Sequence, residues 1–110
     1  LIVVRTASKA YALAGLRVGF GLARPAATGF KIGPLIAHEP QVARTLLAEL
    51  VGRVAGHQVQ IDVPSPNREG VSLALAHGLA PVFACRRMYL GRKPTEDLSV
   101  IYGAMSLEVG

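Results

Sequence analysis

Cysteine occurs once, as Cys85. An internal disulfide framework is therefore excluded, and the count fits a reducing, cytoplasmic compartment. A lone thiol of this kind is expected as a small, buried, inert residue in a strand. No stretch of eighteen uncharged apolar residues exists, so no membrane span is expected. The opening Leu1-Ile2-Val3-Val4-Arg5 lacks a basic segment followed by a long apolar run, so no signal peptide is expected. It begins on Leu rather than Met, as a fragment or a processed chain would. Histidine is sparse: His38, His57 and His77 lie far apart, none with a ligand three or four residues on. Loop or cap roles are expected for them, and no metal site.

Acidic residues are absent from the first 38 positions. Arg5, Lys9, Arg17, Arg24 and Lys31 all precede Glu39, and from Glu39 onward seven basic residues balance seven acidic ones. The whole net charge of +5 thus belongs to the N-terminal third. Such a field attracts a phosphate-bearing ligand. Nucleic acid is a poorer match, because few aromatics accompany the basic residues and no groove-reading helix is visible. What is abundant is apolar: 51% of the 110 residues, enough for one domain with one core.

The β-branched run at 1–5 reads as a strand, and residues 16–23, broken by Gly19 and Gly21, read as a second. Pro25 to Gly29 is a turn, and Phe30 to Ala37 a third strand interrupted at Gly33-Pro34. Glu39 to Val54 is the clearest helix, opened by Pro40, with Val42, Leu46, Leu47, Leu50, Val51 and Val54 along one stripe. Val59 to Val63 alternates strictly and reads as a fourth strand. Asn67 is a natural N-cap for a second helix ending near His77 and Gly78. Pro81 to Leu90 reads as a fifth strand and Ile101 to Val109 as a closing strand paired beside it. The order β-β-β-α-β-α-β-β gives an α/β fold, a mixed sheet flanked by two helices with right-handed crossovers.

Ser8-Lys9, followed by Leu13-Ala14-Gly15-Leu16-Arg17, is the sharpest chemical motif. A lysine amine can form an imine with pyridoxal phosphate (PLP), while a neighbouring hydroxyl and a guanidinium hold the phosphate. Residues 1–25 resemble the active-site segment of fold-type I PLP aminotransferases, the histidinol-phosphate aminotransferase group in particular. That resemblance implies Lys9 as the Schiff-base lysine, with Ser8 and Arg17 on the cofactor phosphate. The chain supplies no residue in context to pair with the pyridine nitrogen, to stack on the ring or to hold a substrate carboxylate.

From Gly29 onward the chain resembles a different family, the GNAT-type N-acetyltransferases, and most of all the C-terminal acetyltransferase-like domain of tandem GNAT proteins. Lys31-Ile32-Gly33-Pro34-Leu35-Ile36-Ala37, the helix after it, Ile61-Asp62-Val63-Pro64 with Asn67, Arg87-Met88-Tyr89-Leu90-Gly91, and Tyr102-Gly103 with Ser106-Leu107-Glu108 carry the likeness. It implies a V-shaped opening between the parallel strands at 30–37 and 59–63. The pantetheine arm of acetyl-CoA would pair with the first strand, through Leu35, Ile36 and Ala37. Its pyrophosphate would sit at the N-terminus of the next helix, near Gln41 and Val42, where free N–H groups favour an anion. Asn67 is implied as a contact to the cofactor arm, although helix capping alone explains it. Tyr89 is implied as the general acid for the leaving thiolate, against a plain core or edge tyrosine. The sequence departs from the active pattern at Ala37-His38-Glu39-Pro40: Glu39 adds a negative charge and Pro40 removes an N–H donor where a pyrophosphate would lie.

A join near Pro25 accounts for both resemblances and for the charge asymmetry. Residues 1–25 would then serve as an N-terminal β-hairpin on a single acetyltransferase-like domain, as in a chimera or fusion. The leading expectation is acyl transfer from acetyl-CoA to a small-molecule amine, weak or absent in isolation. A fragment of a PLP-dependent aminotransferase is the second reading. A non-catalytic domain lending an exposed sheet edge to a homodimer or partner domain is the third.

Overall fold

The computed structural model describes residues 2–5, 19–82, 84–85, 90–92 and 97–105. Among these the chain forms strands β1 (Ile2–Arg5), β2 (Gly19–Pro25) and β3 (Phe30–Ala37), then helix α1 (Pro40–Arg53). Strand β4 (Val59–Ile61), helix α2 (Arg68–Ala76), a single 3-10 turn (Leu98–Val100) and strand β5 (Ile101–Gly103) follow. The result is the mixed α/β sheet with two helices that the sequence leads one to expect. All five strands belong to one sheet.

Strands β1 and β2 pair antiparallel, Ile2 opposite Ala23 and Arg5 opposite Phe20. Strand β2 then pairs antiparallel with β3 along its full length, from Pro25↔Phe30 to Gly19↔Ala37. The register slips between Gly21↔Leu35 and Ala23↔Ile32, so β3 carries one extra residue at Gly33-Pro34, whose peptide is cis. Proline has no N–H to give a ladder, which confines it to such bulges. The extra residue brings Ile32 and Leu35, three apart, to the same side of the sheet.

On that side lies the core. Ala23, Ile32, Leu35 and Ala37 of the sheet are fully buried against Ala43, Leu46 and Leu50 of α1, with Val42, Leu47 and Val54 nearly so. Pro40 opens α1, and Arg53 in the last turn complements the helix dipole. The apolar stripe read from the sequence is thus the buried face, with Val51 at its half-buried margin and Ala43 added to it. Helix α2 is less covered: Gly70 is its buried residue, and Leu75 stays half exposed.

Four expectations are corrected. Strand β4 stops at Ile61, two residues short of Val63, because the chain leaves β3 there. In the span 81–90, the described residues 81, 82, 84, 85 and 90 are not in a strand, and Val82 and Leu90 are almost wholly exposed. Cys85 is exposed rather than buried. The closing strand is the three-residue β5, and it pairs with β3. No helix of the described residues is long and apolar enough to cross a membrane.

Candidate active site at the strand fork

A strand has two edges, and β2 covers one edge of β3 throughout. The other edge is shared. Its first part, Phe30 to Ile32, pairs in parallel with Val59 to Ile61 of β4. Its later part, Leu35 and Ile36, pairs antiparallel with Gly103 and Ile101 of β5. The two parallel strands therefore part after three residue pairs, just ahead of the helix that Pro40 opens, and β5 enters the fork between them. Ala104 N–H donates to the Asp62 carbonyl at 2.8 Å, so the residue after β5 bridges to the residue after β4.

Close contact at the fork depends on two glycines. A Cβ on Gly33 would stand 2.1 Å from the Ala104 carbonyl oxygen, and one on Gly103 would stand 3.2 Å from Ile61 Cγ1 and 3.3 Å from the Ile32 carbonyl. At Gly33 only a residue without a side chain lets the backbones meet this closely, while a side chain at Gly103 would push its neighbours apart.

Asn67 locks the arrangement from the far side. It is nearly fully buried, and its Oδ1 accepts from Gly70 N–H at 2.9 Å, capping α2. Its Nδ2 donates to the Ile101 carbonyl at 2.8 Å and, more weakly, to the Ser99 carbonyl at 3.4 Å. The cap anticipated from sequence is present, and the amide does a second task by holding β5. Asp97 fixes the turn before β5: its Oδ1 accepts from the Ser99 hydroxyl at 2.5 Å and from Ser99 N–H at 3.1 Å. Those bonds hold the Asp97 carboxyl below its ordinary pKa.

Two of the five early basic residues are engaged at the fork. Lys31 Nζ lies 2.5 Å from Asp62 Oδ2, both side chains about four-fifths buried. Arg24, opposite Lys31 in register, donates from Nη2 to the Met105 carbonyl. Tyr102 is buried beside the first turn of α2, where a Cβ on Gly70 would meet its ring at 3.3 Å. Burial, and secondarily the charge of Glu69, pushes the Tyr102 phenol pKa up, so it stays protonated through the neutral range.

The residues that the two resemblances imply fall into two groups. Leu35 and Ile36 pair with β5 at the fork and Asn67 bonds to it, Ala37 ends β3, and Gln41 and Val42 stand in the first turn of α1. The side chains of Leu35, Ala37 and Val42 point into the core, whereas Gln41 is exposed. Tyr89, Lys9, Ser8 and Arg17 lie outside the described residues. At the N-terminus of α1, Pro40 has no N–H, and the N–H groups of Val42 and Ala43 donate to the Glu39 carbonyl at 3.1 and 3.2 Å. Among the described residues no cluster of His, Cys, Asp and Glu could hold a metal ion.

Sequence reading missed β5 as a neighbour of β3, together with the Lys31–Asp62 pair and the roles of Arg24 and Ala104. Gly33 and Gly103 were the available signal, since an unexplained strand glycine marks close backbone approach.

Comparison with known proteins places these features. The model of the acetyltransferase (GNAT) domain matches residues 3–103, running across position 25 without a break. A Pyrococcus horikoshii protein, solved at 2.25 Å and assigned as an acetyltransferase, superposes with a TM-score of 0.69 and 32% identity. That match covers 89% of this chain and 34% of the solved one. A histidinol-phosphate aminotransferase from Shewanella amazonensis is 38% identical over 77 residues, which is 69% of this chain and 21% of that enzyme. The chain thus spans about a third of the one relative and a fifth of the other.

Proposed function

This chain belongs to the GNAT acetyltransferase family, and on that premise we propose that it serves acyl transfer from acetyl-CoA to a small-molecule amine, within a longer protein and weakly by itself. The observation that carries the reading is the fork: β3 and β4 run parallel for three pairs and then separate ahead of α1. In the proposed complex the backbone of Leu35, Ile36 and Ala37 would bind the pantetheine amides. Gln41 and Val42 would lie near the pyrophosphate and Asn67 near the arm, with Tyr89 the candidate acid that the resemblance implies. Residues 1–25 would complete the sheet as an edge hairpin of the same domain.

In the conformation described, the fork does not fit the coenzyme. The β3 edge at Leu35 and Ile36 is already paired with β5. At the N-terminus of α1, Pro40 has no N–H and the N–H of Val42 is turned to the Glu39 carbonyl. No chemical step is therefore derived through it, and low activity of the isolated chain is the expected result.

A ligand that binds only the folded state raises its apparent stability, by about 1.4 kcal/mol at ten times its Kd. Coenzyme A is expected to raise the melting temperature of the chain, and a flat melt at millimolar coenzyme would refute the donor assignment. The aminotransferase match favours a second reading, in which Lys9 forms a Schiff base with PLP and Ser8 and Arg17 hold its phosphate. A visible absorbance band on adding PLP, lost in Lys9→Ala, would support it.

A further inference from the structure

We infer that residues 101–105 are a removable plug, seated in the fork where an extended, amide-bearing ligand arm would lie, and that ligand and plug compete for one edge of β3. The inference rests on the coenzyme reading above and concerns the regulation of that same site.

The seat grips backbone rather than side chains. Gly103 and Ile101 pair with Leu35 and Ile36. Ala104 N–H donates to the Asp62 carbonyl at 2.8 Å, and the Ile101 carbonyl accepts from Asn67 Nδ2 at 2.8 Å. The Met105 carbonyl accepts from Arg24. Each contact uses a peptide N–H or C=O of the plug, as any short extended chain with amide groups could. A pantetheine arm carries two amides and is of comparable length. The absent side chains of Gly33 and Gly103 leave a slot shaped to a backbone, without a pocket that selects a residue type.

The plug is also built to leave. Its strand is three residues long, Met105 at its end is exposed, and so is Ser99 in the turn before it. Short elements with few buried apolar contacts sit at the low end of local stability and open without global unfolding. Tyr102 is its single buried anchor outside glycine, beside α2. The apparent affinity of the fork for coenzyme is then the intrinsic affinity multiplied by the fraction of molecules whose plug is out.

Locking the plug tests this. Ile36 and Ile101 face each other across the β3–β5 pair. Opposed strand positions fall in the Cα separation range a disulfide requires. The chain carrying Ile36→Cys, Ile101→Cys and Cys85→Ser would be titrated calorimetrically with coenzyme A, oxidised and then reduced. Oxidation should weaken binding by at least about tenfold, and reduction should restore it. Equal binding in both forms would overturn the plug while leaving the coenzyme reading standing. No binding in either form would overturn both. Should the disulfide fail to form, hydrogen exchange on the unaltered chain decides. Coenzyme A should slow exchange at 33–37 and speed it at 99–105. Slowed exchange in both segments, or no change in either, overturns the plug.

Discussion

Replacing Asn67 separates a helix cap from a strand anchor. As a cap alone, the residue would contribute one bond, Oδ1 to Gly70 N–H at 2.9 Å. Losing a cap costs about 0.5–2 kcal/mol. The second task, donation to the Ile101 carbonyl at 2.8 Å, adds the desolvation of a buried acceptor left without its partner, about 1–3 kcal/mol. Asn67→Ala should therefore cost about 2–4 kcal/mol, a large part of a domain's 5–15 kcal/mol. Asn67→Asp is the sharper variant. Aspartate caps a helix as well as asparagine does, so a cap-only role predicts almost no loss. With β5 anchored as described, a carboxylate oxygen would replace Nδ2 and face the carbonyls of Ile101 and Ser99. Asn67→Asp should then lose at least as much as Asn67→Ala, and regain stability as acid protonates it. Urea unfolding followed by circular dichroism at neutral pH and near pH 4 measures both variants. An Asn67→Asp midpoint indistinguishable from the parent's would refute the anchoring role.

Leu46→Ala, at a fully buried site under α1, should cost about 2–5 kcal/mol by the same assay. Leu75→Ala, half exposed on α2, should stay within about 0.5 kcal/mol, and a reversal of that order would contradict the packing. Tyr102 supplies an alkaline signature. Its folded pKa is raised above 10.0, so below that pH both states hold the proton, and above it the unfolded state ionises first and stability falls. Tyr102→Phe should flatten this loss in melts between pH 9 and 11, and an unchanged alkaline slope would count against burial of the phenol. Cys85, free and exposed, should react with a thiol reagent in the native state at the rate of an unfolded control. Strong protection would restore the buried strand expected at 81–90.

Where local chemistry decides structure, the sequence was legible. Phe30 to Ala37 is the strand read from its composition, interrupted at Gly33-Pro34 as expected. The helix expected at 39–54 is observed at 40–53, because Pro40 and an apolar stripe of about four turns leave little alternative. Asn67 was recognisable as a cap from the prolines before it and the apolar run after it.

What failed was pairing across distance. The apolar residues of 81–90 resemble a strand, but the described positions 81, 82, 84, 85 and 90 lie in none, and the later part of the β3 edge is taken by β5. Nothing in the composition of 101–105 says that its partner lies nearly seventy positions back. Lys31 and Asp62 likewise meet only because β3 and β4 run parallel in register, Lys31 opposite Gln60. The strand framework of the candidate site was therefore legible, and the strand that pairs within it was not.

Amide chemical shifts recorded while coenzyme A is titrated into the isotope-labelled chain test the fork most directly. Progressive, saturable changes should appear at 33–37, at 41–43 and at 101–104, with residues 2–5 on the far edge strand unmoved. Shifts absent from all three segments, or confined to the basic stretch before Arg24, would contradict the assignment of the β3–β4 fork as the binding site.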